Sequence, residues 1–194
     1  MNIPDVIEAL TPVVEVLEDL GVPYHIGGSV ASSIYGLPRL TIDADLVADL
    51  RPGQVRSIVI RLKAEYYVDE DSIRDAIRHR GSFNLIHYGT SLKIDIFIPK
   101  SRLFDQEELH RVQSKVLEGR DKPFVVASPE GTVLNKLEWY KMGGGVSDRQ
   151  WKDIQGVFKV QGTTLDMNYL KRWAAVLDVS DLLERALSEA GLKE

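Results

Sequence analysis

The chain has 194 residues, of which 44% are hydrophobic and 27% charged, and its formal net charge is −5. This composition fits one globular domain, or one domain with a small appendage, and argues against wholesale disorder. The negative charge disfavours a duplex-binding module, and the lack of cysteine excludes disulfides, thiolate zinc sites and cysteine nucleophiles. The acidic first helix and the absence of a long apolar run predict a soluble, cytoplasmic protein without membrane association.

Hydrophobic periodicity predicts helices mixed with strands in the first two-thirds of the chain and helices alone thereafter. The predicted early helices span residues 4–20, 29–35, 52–64, 71–80 and 106–112. The predicted strands span residues 24–26, 42–48, 83–87, 92–98, 115–117 and 124–127, with a hairpin turn at 88–91. The predicted later helices span residues 128–142, 149–160, 168–177 and 181–190. We therefore predict an α+β core over residues 1–127 and a C-terminal helical subdomain over residues 128–194.

A glycine-rich turn, Gly27-Gly28-Ser29, lies between a predicted strand and a predicted helix. Glycine lets the backbone approach a ligand closely, and a helix start presents free N–H groups, so a phosphate fits there. The Ser29 hydroxyl can add a donor. The turn lacks both the Gly-Lys-Ser/Thr of a P-loop and the later glycines of a dinucleotide fingerprint. The alternative is a tight turn in which Ser29 serves only as an N-cap.

Three aspartates form the most informative pattern in the chain. Asp43 and Asp45 are two residues apart on a predicted strand, so they project from the same face. Adjacent carboxylates repel each other unless one is protonated or a dication binds, and Mg²⁺ prefers oxygen ligands. Asp95 stands alone in an apolar strand, where an acid is normally paired or metal-bound. The alternatives are simple solvation of Asp43 and Asp45, and a salt bridge between Asp95 and Lys93 or an arginine.

The helical tail carries two further polar candidates. Lys136 shares a helix face with apolar residues, so it either reaches solvent with its ammonium or points at an anion. Asp153 lies four residues after Arg149, so a local ion pair explains it equally well. Arg39 either approaches a phosphate or pairs with a surface acid. None of the four histidines has metal-ligand spacing.

The turn at 27–29, the Asp43-x-Asp45 pair and the later Asp95 together resemble the signature of the DNA polymerase β superfamily. The resemblance implies an α+β nucleotidyltransferase fold, in which helices flank a mixed β-sheet and a helical tail follows. It implies that Asp43, Asp45 and Asp95 bind two Mg²⁺ ions and catalyse the reaction, and that the glycine turn binds the triphosphate.

The run Arg-x-Thr-x-Asp-x-Asp at 39–45 further resembles that of the abortive-infection (AbiEii-type) toxin nucleotidyltransferases. In those proteins the helical tail carries a lysine and then an Arg/Lys-Asp cluster, matched here by Lys136 and Asp153. The resemblance implies nucleotide binding by Arg39, Lys136 and Asp153, a catalytic role for Lys136, and an antitoxin as partner. Gly156 stands where many of these proteins carry an acid.

The expected function is therefore Mg²⁺-dependent transfer of a nucleoside monophosphate from a nucleoside triphosphate to an acceptor hydroxyl. The acceptor is RNA such as tRNA, a protein, or an antibiotic-like small molecule. One alternative is a catalytically silent binding module, such as a toxin–antitoxin component. Another is an unrelated α+β domain, in which Asp43 and Asp95 would not be neighbours in space.

Overall fold

The computed structural model describes residues 3–117, 119–120 and 122–192, which form nine α-helices and seven β-strands. The helices are α1 (Ile3–Asp19), α2 (Gly28–Tyr35), α3 (Val55–Leu62), α4 (Glu70–His79), α5 (Leu103–His110), α6 (Pro129–Met142), α7 (Asp148–Gln161), α8 (Met167–Val176) and α9 (Ser180–Glu189). The strands are β1 (Tyr24–Ile26), β2 (Asp43–Ala48), β3 (Tyr66–Tyr67), β4 (Ser82–His87), β5 (Lys93–Phe97), β6 (Val112–Lys115) and β7 (Phe124–Ala127). Among the described helices, none has the length and apolarity needed to span a bilayer.

The seven strands form one mixed sheet in the order β3-β4-β5-β2-β1-β7-β6. Strand β2 runs parallel to β5 and antiparallel to β1, while β4 is antiparallel to both β3 and β5. Burial alternates residue by residue along β2, β4 and β5. One face of these strands therefore carries the apolar core, and the opposite face carries mostly polar side chains.

Contacts between Cα atoms divide the described residues into two compact units. Unit 1 comprises the described residues within Met1–Gly27 and Leu40–Val126. Unit 2 comprises those within Gly28–Arg39 and Ala127–Glu194. Unit 1 contains the sheet, apart from the last residue of β7, together with α1 and α3 to α5. Unit 2 contains α2 and the helices α6 to α9. The domain boundary expected after residue 127 stays a prediction.

The core of unit 1 forms because α1 buries the apolar side chains that recur at helical spacing. Leu10, Val13 and Leu17 are each at most 2% exposed. Strand β3, which the sequence pattern did not predict, is joined to α1 through Tyr66, whose hydroxyl donates to the carbonyl of Ala9 at 2.8 Å. This polar contact satisfies a buried tyrosine hydroxyl without disturbing the apolar layer.

In unit 2, α2 packs against α6 and α7 at close range. A Cβ added at Gly36 would lie 2.7 Å from the backbone of Gly156 and Val157, and one added at Gly156 would lie 3.1 Å from the backbone nitrogen of Leu37. Larger side chains would force the two backbones apart. Glycine at position 156, where many abortive-infection toxins carry an acid, therefore has a steric explanation in this chain.

Several predicted boundaries differ from the structure for local reasons. The helix predicted at 71–80 is α4, which begins earlier because Asp69 caps it: the Asp69 carboxylate accepts the backbone N–H of Ser72. The helix predicted at 106–112 is α5, which begins at Leu103 and ends at His110. The strand predicted at 115–117 is β6, which lies at Val112–Lys115 and begins two residues after the end of α5. The predicted helix at 52–64 begins as a 3₁₀ turn and continues as α3.

Candidate active site

The three predicted acids lie on the polar face of the sheet in unit 1. Asp45 of β2 is the register partner of Asp95 of the parallel strand β5, and Asp43 is the partner of Lys93. Register partners on neighbouring strands point to the same side, so the carboxylates share one face with the Lys93 ammonium. We call Asp43, Asp45 and Asp95 the acidic face. All three side chains are half-buried, and their assignment as metal ligands stays a prediction.

Lys93 is the cation of this face. Its Nζ lies 2.7 Å from Oδ2 of Asp95, with side-chain exposures of 45% for the lysine and 21% for the aspartate. The hydrogen bond to Asp95 raises the pKa of Lys93, partial burial opposes the rise, and the charges of Asp95, Asp43 and Asp45 add to it. The salt bridge weighed as the alternative for Asp95 is therefore present. The same lysine also experiences the field of the other two carboxylates.

Two further groups fix the strand that carries Asp43 and Asp45. The hydroxyl of the buried Thr41 lies 3.0 Å from Oδ1 of Asp43 and 2.8 Å from its carbonyl oxygen, so it can donate to either. The N–H of Gly27 donates to the carbonyl of Asp45 at 2.8 Å. No role was predicted for Thr41 from the sequence, although its position two residues before the first acid could have indicated a contact with that acid.

Whether Mg²⁺ suits the acidic face depends on which ligand atoms the face offers. Over residues 3–117, 119–120 and 122–192, no group of three or more His, Asp or Glu side chains is arranged to hold a metal ion. Asp95 instead bonds the ammonium of Lys93. Three half-buried carboxylates on one face nevertheless supply the hard oxygen ligands that Mg²⁺ prefers, and one of them already binds a cation. The chemistry of these donors thus suits the ion, although in this structure they are not arranged as a metal site.

The glycine turn leads from unit 1 into α2 of unit 2. Gly28 has φ +54°, in the left-handed region that favours glycine. A Cβ added at Gly27 would meet no atom within 4 Å, so a ligand can approach its backbone. Ser29 is buried and lies inside α2, which begins at Gly28. The alternative in which Ser29 serves as the N-cap is therefore not realised.

Unit 2 holds a second set of charges, which we call the buried cluster: the buried Lys136 and Asp153, together with Arg39, whose side chain is 28% exposed. Arg39 donates from Nε and Nη2 to the two carboxylate oxygens of Asp153 at 2.8 and 3.0 Å. Lys136 Nζ donates to Oδ2 of Asp153 at 2.8 Å and to Oε1 of Gln150 at 3.2 Å. Lys136 therefore does not reach solvent. Asp153 pairs with distant residues rather than with Arg149 as the alternative supposed.

The electrostatics of the buried cluster suit an anion. Burial by itself raises the pKa of Asp153, but the hydrogen bonds and charges of Arg39 and Lys136 outweigh burial and hold it below its usual value. These three side chains comprise two cations and one carboxylate, so their sum is positive. Arg and Lys form charge-assisted hydrogen bonds with phosphate oxygens as they do with carboxylate oxygens. Sequence analysis missed Gln150, although its position three residues before Asp153 places both on one side of α7.

Solved structures of other proteins share the fold of this chain. No protein-family model matches the chain, and no curated protein matches it. The crystal structure of ANT(2'')-Ia in complex with adenylyl-2''-tobramycin is similar, with a TM-score of 0.58, 13% identity, and coverage of 89% of this chain and 96% of that one. An antigenic nucleotidyltransferase-like protein from Paracoccidioides brasiliensis gives 0.57 and 15%, with 97% and 94% covered. Lincomycin-bound LnuA, a lincosamide antibiotic adenylyltransferase, gives 0.51 and 13%, with 79% and 96% covered.

These similarities extend over nearly the full length of the solved proteins, although the sequences have diverged. Fold is preserved at such identities while individual functional residues need not be. The mixed seven-stranded sheet with its flanking helices matches the architecture of these proteins. The α+β nucleotidyltransferase fold predicted from the sequence is thereby confirmed.

Proposed function

We propose that this chain is a Mg²⁺-dependent nucleotidyltransferase that moves a nucleoside monophosphate from a nucleoside triphosphate to an acceptor hydroxyl. One observation carries the proposal: Asp45 lies beside Asp95 in parallel register, with Asp43 on the same face. Three acids on one face repel each other, and the single charge of Lys93 offsets only part of that repulsion, which favours the binding of a dication there. The similarity in fold to ANT(2'')-Ia and LnuA supports the reaction class.

Each acid has a role in this proposal. Asp43, Asp45 and Asp95 hold two Mg²⁺ ions, and Thr41 keeps the Asp43 carboxylate oriented through its hydroxyl. Mg²⁺ held by these three carboxylates would supply charge neutralisation for the phosphates and would make the acceptor hydroxyl easier to deprotonate. The acceptor hydroxyl, activated with the help of Asp95, releases its proton to solvent as its oxygen forms a bond to the α-phosphorus. The bond from that phosphorus to the bridging oxygen breaks, and pyrophosphate leaves.

The proposal gives phosphate binding to the residues that the sequence resemblance assigns to the nucleotide. The N–H groups at the start of α2, with Gly28 and the Ser29 hydroxyl, suit phosphate oxygens. Lys136 and Arg39 supply positive charge, and Asp153 positions both cations through the bonds described above. Chemistry of this type depends on positioning and electrostatics more than on covalent catalysis.

The acceptor belongs to one of three classes: RNA, a protein or a small molecule. The similarity to ANT(2'')-Ia and LnuA, whose structures contain adenylyl-2''-tobramycin and lincomycin, favours testing a hydroxyl-bearing small molecule first, with ATP as donor. The narrower resemblance to abortive-infection toxins, which implies an antitoxin partner, stays a prediction, and so does a tRNA or protein acceptor.

The test is transfer of label from each nucleoside triphosphate, with Mg²⁺, to RNA, protein and small-molecule pools. We expect Mg²⁺-dependent pyrophosphate release and label in one pool. Asp45→Asn should lower the rate more than about a hundredfold, because mutations of groups that merely support metal ligands often cost ten- to a hundredfold. Asp71→Asn, at an exposed acid on α4, is the matched control and should retain the wild-type rate. Full activity of Asp45→Asn would contradict the proposal, and nucleotide binding without pyrophosphate release would favour the silent module.

A further inference from the structure

Lys93 is the feature of the acidic face that nucleotidyl transfer does not account for. It lies on β5 two residues before Asp95, and its Nζ is 2.7 Å from Oδ2 of that aspartate. Its register partner is Asp43 on β2. A lysine among carboxylates neutralises charge, which a metal ion in the same place would also do. The two cations therefore compete for the same oxygens.

A cation that binds carboxylate more strongly can displace the Lys93 ammonium from Asp95. It is 45% exposed, so its ammonium can return to water without a large desolvation penalty. A four-carbon stem gives it several rotamers in which the charge stays solvated while the methylenes remain on the sheet. The contact with Asp95 is thus exchangeable, and the exchange frees an aspartate that Lys93 otherwise occupies.

We propose that Lys93 is a resident counter-cation of the acidic face, bound to Asp95 when metal is absent and displaced when a divalent cation binds. Lys93 stabilises the metal-free sheet by offsetting repulsion among the three carboxylates. It also weakens metal binding, because the cation must first take Asp95 from it. This inference rests on the proposed function, since it takes the acidic face as the metal site.

Mn²⁺ titration followed by electron paramagnetic resonance tests the competition without any turnover. Lys93→Met should bind Mn²⁺ roughly three- to tenfold more tightly than wild type, the range expected when one partly exposed unit charge beside a dication is removed. Lys93→Arg should stay close to wild type, because it keeps the charge. Lys63→Met is the matched control, since Lys63 is an exposed lysine that caps the C-terminal end of α3. Unchanged or weaker binding by a folded Lys93→Met would overturn the inference.

A second measurement uses the wild-type protein alone and so does not depend on how a variant folds. Reductive methylation of lysines, read by mass spectrometry, is compared in EDTA and in saturating Mg²⁺. Lys93 should react faster with metal present, because its ammonium has lost its carboxylate partner, while Lys63 should react equally in both. Equal reactivity of Lys93 in the two conditions would overturn the displacement.

The outcomes separate this inference from the proposed function. If Asp45→Asn loses Mn²⁺ binding while Lys93→Met binds as wild type does, the metal site stands and the role of Lys93 fails. If wild type binds no Mn²⁺, or if Asp45→Asn binds it unchanged, the metal site itself fails and the inference fails with it.

Discussion

Two lysine–aspartate pairs, one in each unit, have almost the same geometry and very different surroundings. In unit 1, Lys93 and Asp95 are 2.7 Å apart with side-chain exposures of 45% and 21%. In unit 2, Lys136 and Asp153 are 2.8 Å apart, and each side chain is 6% exposed. Asp153 also accepts two hydrogen bonds from Arg39. The two contacts therefore differ in burial and in the number of partners, and hardly at all in length.

The comparison shows that burial, rather than distance, decides what an ion pair can do. An exposed pair is worth little, because water replaces either partner readily. A buried pair is costly to break, because removing one member leaves a charge without compensation in a medium of low dielectric constant. Lys93–Asp95 is accordingly suited to exchange during ligand binding. The buried cluster is suited to hold Arg39 and Lys136 in fixed positions.

The largest expected effect comes from deleting the shared carboxylate of the buried cluster. Asp153→Ala should lower the free energy of unfolding by about 3–5 kcal/mol, because two cations lose their common partner. Asp95→Ala is the matched variant in unit 1 and should change it by less than about 1 kcal/mol. Urea unfolding of both variants measures the difference. Equal losses would remove the distinction between the two pairs.

The next effect is the pH dependence of the buried cluster. Because the pKa of Asp153 is depressed in the folded state, its contribution to stability is complete above the unfolded value of about 4 and is lost as the pH falls through the folded value. The stability difference between wild type and Asp153→Asn should therefore shrink as the pH is lowered below about 4. Urea unfolding between pH 2.5 and 6 measures it. A difference independent of pH would contradict the depressed pKa.

The smallest effect is the response of each pair to salt. A double-mutant cycle with Lys93→Met and Asp95→Asn should give a coupling below about 1 kcal/mol that approaches zero in 1 M NaCl, where the Debye length is about 3 Å. The corresponding cycle with Lys136→Met and Asp153→Asn should change little, because the ions of salt do not reach buried charges. If the exposed pair resisted salt as well as the buried one, exchangeability at Lys93 would be wrong.

The sequence predicted the features of the site that depend on local periodicity. The period of two placed Asp43 and Asp45 on one side of a strand, and the glycine turn before a helix was visible directly. The same period put Lys93 beside Asp95, but no local rule decides between a salt bridge and a metal ligand. The structure shows the salt bridge between Lys93 and Asp95, and the role of Asp95 as a metal ligand stays a prediction.

Features that depend on tertiary contacts could not be predicted in the same way. Arg39 and Asp153 are 114 residues apart in sequence and meet because α2 and α7 pack closely at Gly36 and Gly156. Local spacing offered Arg149 as the partner of Asp153 instead, since residues four apart on a helix are neighbours. The two-residue strand β3 was missed because it is too short to show any alternation.

Anomalous diffraction from crystals grown with Mn²⁺ and a non-hydrolysable nucleoside triphosphate analogue tests the metal site most directly. We predict anomalous peaks about 2 Å from carboxylate oxygens of Asp43, Asp45 and Asp95, with the Lys93 ammonium no longer bonded to Asp95. Bound nucleotide with no peak at these carboxylates, and Lys93 still paired with Asp95, would contradict it.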